Sequence, residues 1–273
     1  MLEARNLTKA YGRNVVLDDV SFTLEQGRIY GLLGVNGAGK TTTMQLLTGF
    51  LTPTGGDVLI DGVSLQKDPV GLKKRIGYLP EVPPLYPELT VREFLQFQAE
   101  LRGIPKGERR KACREAVQVG RLGSVRNRLI GQLSKGFRQR VALAATLMGD
   151  PDILILDEPT NGLDPVQMVE MRRMLRELGQ RCTILVSSHV LSEVMQEADE
   201  LLIMAAGRLV LSGTVEELTE NLEPEKLPDL DRYQKTAGLE SLFLRVTKEA
   251  YADARDREEA DEEDYDGEDG YDD

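Results

Sequence analysis

Gly34-Val35-Asn36-Gly37-Ala38-Gly39-Lys40-Thr41 fits the phosphate-loop spacing G-x-x-x-x-G-K-[ST], and this stretch decides the fold. Its glycines permit a tight turn whose successive backbone N–H groups face one anion. Lys40 brings a point charge to the β and γ phosphates of a nucleotide, and the Thr41 hydroxyl suits Mg²⁺. The preceding run Ile29-Tyr30-Gly31-Leu32-Leu33 reads as a strand. Thr42, Met44, Leu46 and Leu47 suit a helix whose positive end points at the anion. A glycine turn with a chance lysine would lack this order of strand, loop and helix. Gly34, Asn36, Gly37, Ala38, Gly39, Lys40, Thr41 and Thr42 are therefore the candidate phosphate contacts.

Upstream and downstream of the loop, the pattern alternates. Residues 2–8, 15–24, 28–33 and 57–60 read as short strands, with turns at Gly12, Gly27 and Gly55-Gly56. From Thr90 to Val119 the period becomes helical. Thr90-Val91-Arg92-Glu93 is a capping box, and Phe94, Leu95, Phe97 and Leu101 form an apolar stripe expected to pack into the core. Ile153-Leu154-Ile155-Leu156 and Thr183-Ile184-Leu185-Val186 are continuous apolar runs, as in strands buried on both faces of a parallel sheet. Between them residues 166–178 read as a helix, with Asp164 as N-cap and Pro165 at its first position. Strands alternating with helices predict an α/β core with a β-rich start and a helical insert. No internal repeat is visible.

A second polar site closes the apolar run at 153–156. Asp157, at the carboxyl end of a buried strand, is placed to hold Mg²⁺ directly or through water. Glu158 beside it is a candidate general base for an attacking water. Acidic residues before Pro159 would also end a strand in a plain turn, but the phosphate loop in the same chain favours the chemical reading.

Composition narrows the class. The 273 residues hold 34 basic and 46 acidic side chains, a formal −12. Residues 256–273 contribute twelve acidic and one basic residue, so the body before them is nearly neutral. That balance argues against dedicated nucleic-acid binding. No apolar run approaches about 18 residues, so no membrane span is expected. The first residues, Met1-Leu2-Glu3-Ala4-Arg5, lack the order of a secretory signal. Cys113 and Cys182 are far apart and in no ligand spacing, which fits a reducing compartment without zinc or disulfide.

Between the two polar sites stands Leu133-Ser134-Lys135-Gly136-Phe137-Arg138-Gln139-Arg140, which resembles the LSGGQ signature of ABC ATPases. The further order is similar to the same family. Ile153 to Pro159 is followed by Asn161-Gly162-Leu163-Asp164, resembling its D-loop, and Ser187-Ser188-His189, resembling its switch-histidine loop. Tyr11 stands where that family stacks an aromatic on adenine. The resemblance spans about residues 2–218 and comes nearest to ATPase subunits of type-2 exporters, through Arg75-Ile76-Gly77-Tyr78-Leu79-Pro80-Glu81. It implies a P-loop NTPase fold with a RecA-like core, an N-terminal antiparallel β-subdomain and an inserted α-helical signature subdomain. It implies ATP and Mg²⁺ as ligands. It also implies a head-to-tail pair, either a homodimer or a pairing with a sister ATPase subunit, in which Ser134 and Gly136 reach the γ-phosphate held by the other subunit. His189, the sole histidine, would contact that phosphate and help hold Glu158; Asp164 would both cap its helix and touch the partner. The implied function is the motor of an exporter, working through a separate transmembrane permease from the cytoplasmic face of the membrane. A groove near Glu81 and Val82-Pro83-Pro84-Leu85-Tyr86 would receive a helix of that permease.

Two departures stand out. Glu81 replaces the usual Gln, keeping an oxygen for Mg²⁺ or water but losing the amide donor. Lys135 and Phe137 replace commoner residues in the signature, while Ser134 and Gly136 are kept. Another class, a soluble ABC ATPase acting on ribosomes or DNA, generally has tandem ATPase domains, a coiled-coil insertion or zinc-binding cysteines, none of which this sequence shows. Lys40, Asp157, Glu158 and His189 together argue against a non-hydrolysing scaffold.

The expected organisation is an ATPase domain over 1–222, a short extension with a closing helix near Leu239-Glu240-Ser241-Leu242-Phe243-Leu244 over 223–250, and a disordered acidic tail over 251–273. Asp264-Tyr265-Asp266-Gly267-Glu268-Asp269 does not form an EF-hand loop, because Asp269 occupies its glycine position. The tail reads as a solvated, self-repelling segment or as a contact for a basic surface of the permease or a regulator.

Overall fold

A computed structural model describes residues 1–220 and 232–267, with side chains placed for 1–218 and 238–256. The first two strands, β1 (Leu2–Tyr11) and β2 (Asn14–Leu24), form a hairpin turned at Gly12, whose φ of 62° suits glycine. With β4 (Gly55–Ile60) and β5 (Val63–Ser64) they make an antiparallel sheet ordered β2-β1-β4-β5.

The second sheet carries the site. It is ordered β10-β9-β3-β8-β7-β6, from β3 (Ile29–Leu33), β6 (Ile76–Leu79), β7 (Ile153–Leu156), β8 (Thr183–Ser188), β9 (Glu200–Ala205) and β10 (Arg208–Gly213). All pairings are parallel except that of the edge strand β10. Every residue of β3, β7 and β8 is buried, as the apolar runs within them predict, and the burial extends to Ser187 and Ser188 at the end of β8. Register matters most: Leu33 lies opposite Ser188, and Leu156 opposite Val186. The carboxyl ends of three strands therefore align, and the segments leaving them meet at one edge of the sheet, the usual place for ligands in such folds.

Helices cover both faces. α1 (Lys40–Leu47) packs with Leu2, Leu17 and Leu32 between the two sheets, through Met44 and Leu47. α6 (Pro165–Gly179) covers the other face through Met171, Met174 and Leu175. Its N-cap is Asp164, accepting from Gln167 N at 2.9 Å, with Pro165 at the first position as the sequence predicts. The short α2 (Pro69–Lys73) leads into β6.

The helical stretch between β6 and β7 is three helices: α3 (Val91–Leu101), α4 (Lys106–Val119) and α5 (Lys135–Thr146). The capping box at Thr90 forms in full. The single helical run expected over 90–119 breaks at Gly103, whose φ is 70°, and Pro105. The expected apolar stripe is split. Phe94 and Leu95 are buried with Cys113, Val141 and Ala144, but Phe97 is 38% and Leu101 64% exposed. Phe97 instead meets the ring of Tyr86 edge-on, at 5.6 Å. Periodicity identifies a helix face, and here that face is wider than the core it covers.

Beyond β8 come α7 (Leu191–Val194), β9, β10 and α8 (Val215–Glu220). A last helix, α9 (Arg232–Gly267), buries Leu239, Leu242 and Phe243 against Leu201, Ile203 and Leu218. This helix runs through the stretch expected to form a closing helix, and its backbone continues through 251–267, the stretch read from composition as an acidic tail. Nine of these 17 residues are Ala, Glu or Arg, good helix formers that favour the helix against five Asp. The proposed boundary near 222–223 and the last residues of the acidic segment, 268–273, lie outside the described residues.

Candidate active site

The loop after β3 closes on itself before α1 begins. Gly37 and Gly39 take φ of 84° and 101°, conformations that side-chain-bearing residues avoid, and these let the loop wrap around a point. Gly34 serves a different need: a Cβ there would stand 2.6 Å from the Met204 carbonyl oxygen of β9. Lys40 is buried, 7% exposed, and donates to the carbonyl oxygens of Gly34 at 2.7 Å and Val35 at 3.3 Å. Burial pulls its ammonium below the ordinary lysine range, an effect that Glu158, Asp157 and Glu81 partly offset.

The segment leaving β7 supplies the carboxylates, and β8 supplies the hydroxyl that holds them. Asp157 is 1% exposed; its Oδ1 accepts from Ser187 Oγ at 2.6 Å, and its Oδ2 is buried with no hydrogen-bond partner. Glu158 has a φ of 48°, a conformation costing about 1–3 kcal/mol for such a residue. Its N–H donates to the same Ser187 Oγ at 2.9 Å. Its carboxylate lies 2.9 Å from His189 Nδ1 and 3.9 Å from Lys40 Nζ. One hydroxyl from β8 thus holds both acidic residues of β7. Ser187→Ala leaves a buried carboxylate oxygen and a buried N–H unpaired, so unfolding free energy should fall by about 1–3 kcal/mol. Denaturant unfolding checks this, and unchanged stability would contradict the bridging role.

Val16, Asn36, Gly37, Gly39, Lys40, Thr41, Thr42, Glu81, Glu158, Asn161 and His189 line a cleft of about 250 Å³. It gathers most of the residues that the sequence singles out for phosphate, metal and water chemistry. Glu81 is there, accepting from Asn161 Nδ2 at 3.1 Å. Asn161 itself is tied by its N–H to the Glu158 carbonyl at 3.1 Å. Asp157 lies beneath, and its unpaired Oδ2 is the orphan acceptor that a hard cation requires. Among the described residues no three His, Cys, Asp or Glu side chains gather as a ready metal cage. This suits Mg²⁺, which characteristically shares one or two carboxylates with phosphates and water.

Other expected residues stand apart from this cleft. Tyr11, at the end of β1, is 52% exposed, with Lys9 Nζ 5.0 Å from its ring centroid. Val16 of β2 is the hairpin residue that lines the cleft. Ser134 caps α5, accepting from Phe137 N at 3.4 Å, and Asp164 caps α6. Gly136 is packed so closely that a Cβ would fall 2.4 Å from Gln167 Oε1 of α6. Ser134 and Asp164 are exposed. Nothing in the sequence separates Val16 from its apolar neighbours, while Asn161 entered only as part of the stretch resembling the D-loop. Ser187 stood beside the histidine with no sign of its bridging role. A larger hollow of about 810 Å³ lies elsewhere, between α4 and α6. It holds none of these residues.

Comparison with known proteins agrees with this geometry. The family model described as ABC transporter matches residues 17–161. The bacitracin transport ATP-binding protein BcrA of Bacillus licheniformis is 41% identical over 212 residues, 77% of this chain and 68% of BcrA. The ABC-type transporter ATP-binding protein EcsA of Bacillus subtilis (strain 168) is 33% identical over 250 residues, 91% of this chain and 97% of EcsA. Among solved structures, the dimeric post-hydrolysis state of the ATP-binding cassette MJ0796, bound to ADP and Pi, gives a TM-score of 0.71 at 25% identity, covering 78% of this chain and 98% of that one.

Proposed function

Because the chain belongs to the ABC transporter family of ATP-binding subunits, hydrolysing ATP in the service of transport, we propose the residues that do this work and the partners that receive it. The observation that carries the proposal is the placing of Glu158 between Lys40 and His189, at the mouth of the glycine loop and above the orphan oxygen of Asp157.

Backbone N–H groups of residues 36–41 cradle the β and γ phosphates, at the positive end of α1. Lys40 exchanges its two loop carbonyls for phosphate oxygens. Thr41, Asp157 and Glu81 would hold Mg²⁺, which screens phosphate charge when bound. Glu158 accepts a proton from the attacking water as its oxygen bonds to the γ-phosphorus and the bond to the β-bridging oxygen breaks. His189 fixes the Glu158 carboxylate through Nδ1 and presents its ring to the γ-phosphate. Tyr11, exposed on the hairpin beside Val16, would take the adenine face.

The exposed Ser134, with the neighbouring Gly136 and Asp164, points to a second copy or a sister subunit, whose γ-phosphate would meet the start of α5. Nucleotide closes that pair and hydrolysis reopens it. No helix among the described residues is long and apolar enough to cross a membrane. In this reading the chain acts on the membrane through a permease, on the cytoplasmic face, in the direction of export, as its likeness to a bacitracin transport protein supports. Docking falls to the apolar surface of Val82, Tyr86, Phe97 and Leu101, all exposed.

Tyr86→Ala with Phe97→Ala tests this coupling. Basal ATP turnover in solution should stay within about twofold. Recovery of the chain in the membrane fraction of its own cells should fall about tenfold or more, the effect of losing an aromatic anchor pair. Full membrane recovery of the double variant would refute the docking surface and leave the ATPase assignment standing.

A further inference from the structure

The near-neutral body conceals a separation of charge. Residues 91–148, which form α3, α4, α5 and their loops, carry thirteen basic and four acidic side chains, a net +9. Arg109, Lys111, Arg121 and Arg140 pair with carboxylates. Arg92, Lys106, Arg110, Arg114, Arg126 and Arg128 are exposed and form no ion pair among the described residues.

These six lie on two helices that pack together, α3 and α4, and on the loop beside α3. Lys106, Arg110 and Arg114 recur every four residues along α4, which lines them up on one side. Like charges at that spacing weaken a helix, so the helix itself does not account for the stripe. Arg126 and Arg128 are fastened beside α3 by backbone bonds, from Arg92 N to Arg126 O at 3.0 Å and from Val91 N to Arg128 O at 3.1 Å. Arg92 in turn lies near enough to α4 to counter part of the burial-driven rise of the Cys113 thiol.

The complementary charge lies in the same chain. Residues 256–273 carry twelve acidic side chains and one basic. Those up to Gly267 lie in α9, whose last buried side chain among the described ones is Thr247, 8% exposed. The helix continues to Gly267, about 30 Å further at 1.5 Å per residue. α9 packs against β9 at one edge of the six-stranded sheet, whereas α5 packs beside β6 at the other. Five strand spacings, about 24 Å, separate those edges. The acidic arm thus leaves the domain toward one edge of the sheet, while the basic face lies at the other and stands open to the arm of a neighbour.

We propose that the basic face of α3, α4 and the 126–128 loop docks the acidic 256–273 segment of a second copy of this chain. The contact is electrostatic, needs no nucleotide, and weakens as salt screens it over the Debye length, about 10 Å at 0.1 M. It shares α3 with the permease surface but no residue with that surface or with the ATP cleft.

Sedimentation velocity of the full chain without nucleotide, at 25 and 300 mM NaCl, tests it. The expected result is association at low salt, weakened about tenfold or more at high salt. The same association should be lost in a chain ending at Arg255 and in the exposed triple variant Arg110→Glu, Arg114→Glu, Arg126→Glu. In a second assay, a fluorescein-labelled peptide of residues 256–273 should bind the chain ending at Arg255 at 25 mM NaCl, and the triple change should abolish that binding. A full chain that stays monomeric at 25 mM, or a peptide that binds neither form, overturns the proposal. So does binding of the chain to vesicles containing 30% phosphatidylserine that the triple change removes while the peptide shows no affinity, which assigns the face to a lipid surface. Because every arm is nucleotide-free, failure here leaves the ATPase reading untouched.

Discussion

Glu158→Gln should leave ATP bound while lowering its hydrolysis about 10²- to 10⁴-fold, the range for removal of a general base. The geometry makes this substitution clean. The amide has the same shape, can still bond His189 Nδ1 across the 2.9 Å contact, and keeps the backbone link to Ser187 Oγ. What it loses is the ability to take a proton from water. Nucleotide affinity should therefore change little, since Lys40 and the loop N–H groups are intact. Phosphate release under saturating Mg²⁺ and ATP measures the loss. Unchanged turnover would remove Glu158 from the base role and point to His189 or to the phosphate itself.

Lys40→Ala is expected to act one step earlier, weakening ATP binding by about 3 kcal/mol or more, over a hundredfold. The ammonium is buried and already held against the Gly34 and Val35 carbonyls, so it stands in place before a phosphate arrives. Its replacement removes the one cation among the cleft-lining residues and leaves the carboxylate of Glu158 facing the phosphates. The fold should tolerate the change, because burial disfavours the ammonium and alanine suits the start of α1. Isothermal titration with ATP reads the effect directly. Wild-type affinity would sink the phosphate-loop assignment, whereas lost affinity with an unfolded chain is distinguished by the helical circular dichroism signal.

Much of this site was legible in the sequence because its parts are local. The glycine loop, the capping box at Thr90 and the Asp164-Pro165 helix start each need only a few consecutive residues, and all three form as written. The buried strands were equally plain, since β3 and β7 are apolar at nearly every position and β8 carries the run Ile184-Leu185-Val186. What escaped depends on residues distant in sequence. Ser187 bridges Asp157 and Glu158 only because β7 and β8 pair in one register, some thirty residues apart. Asn161 meets Glu81 across eighty residues. The exposure of Phe97 depends on Tyr86 and on how little of α3 the core covers. The acidic end of the chain was read from composition alone, which predicts poor burial, and poor burial does not prevent a helix that continues from a well-packed one.

Glu158→Gln also gives the most direct test of the central claim, that this chain is one half of a pair closed by ATP. Sedimentation equilibrium of that variant at 300 mM NaCl, where tail contacts are screened, should give the mass of a single chain alone and of two chains with Mg²⁺ and ATP. Adding Ser134→Arg, which places a bulky cation at the start of α5, should return it to one chain with ATP still bound. A Glu158→Gln chain that binds ATP tightly yet keeps the mass of one chain would contradict the account.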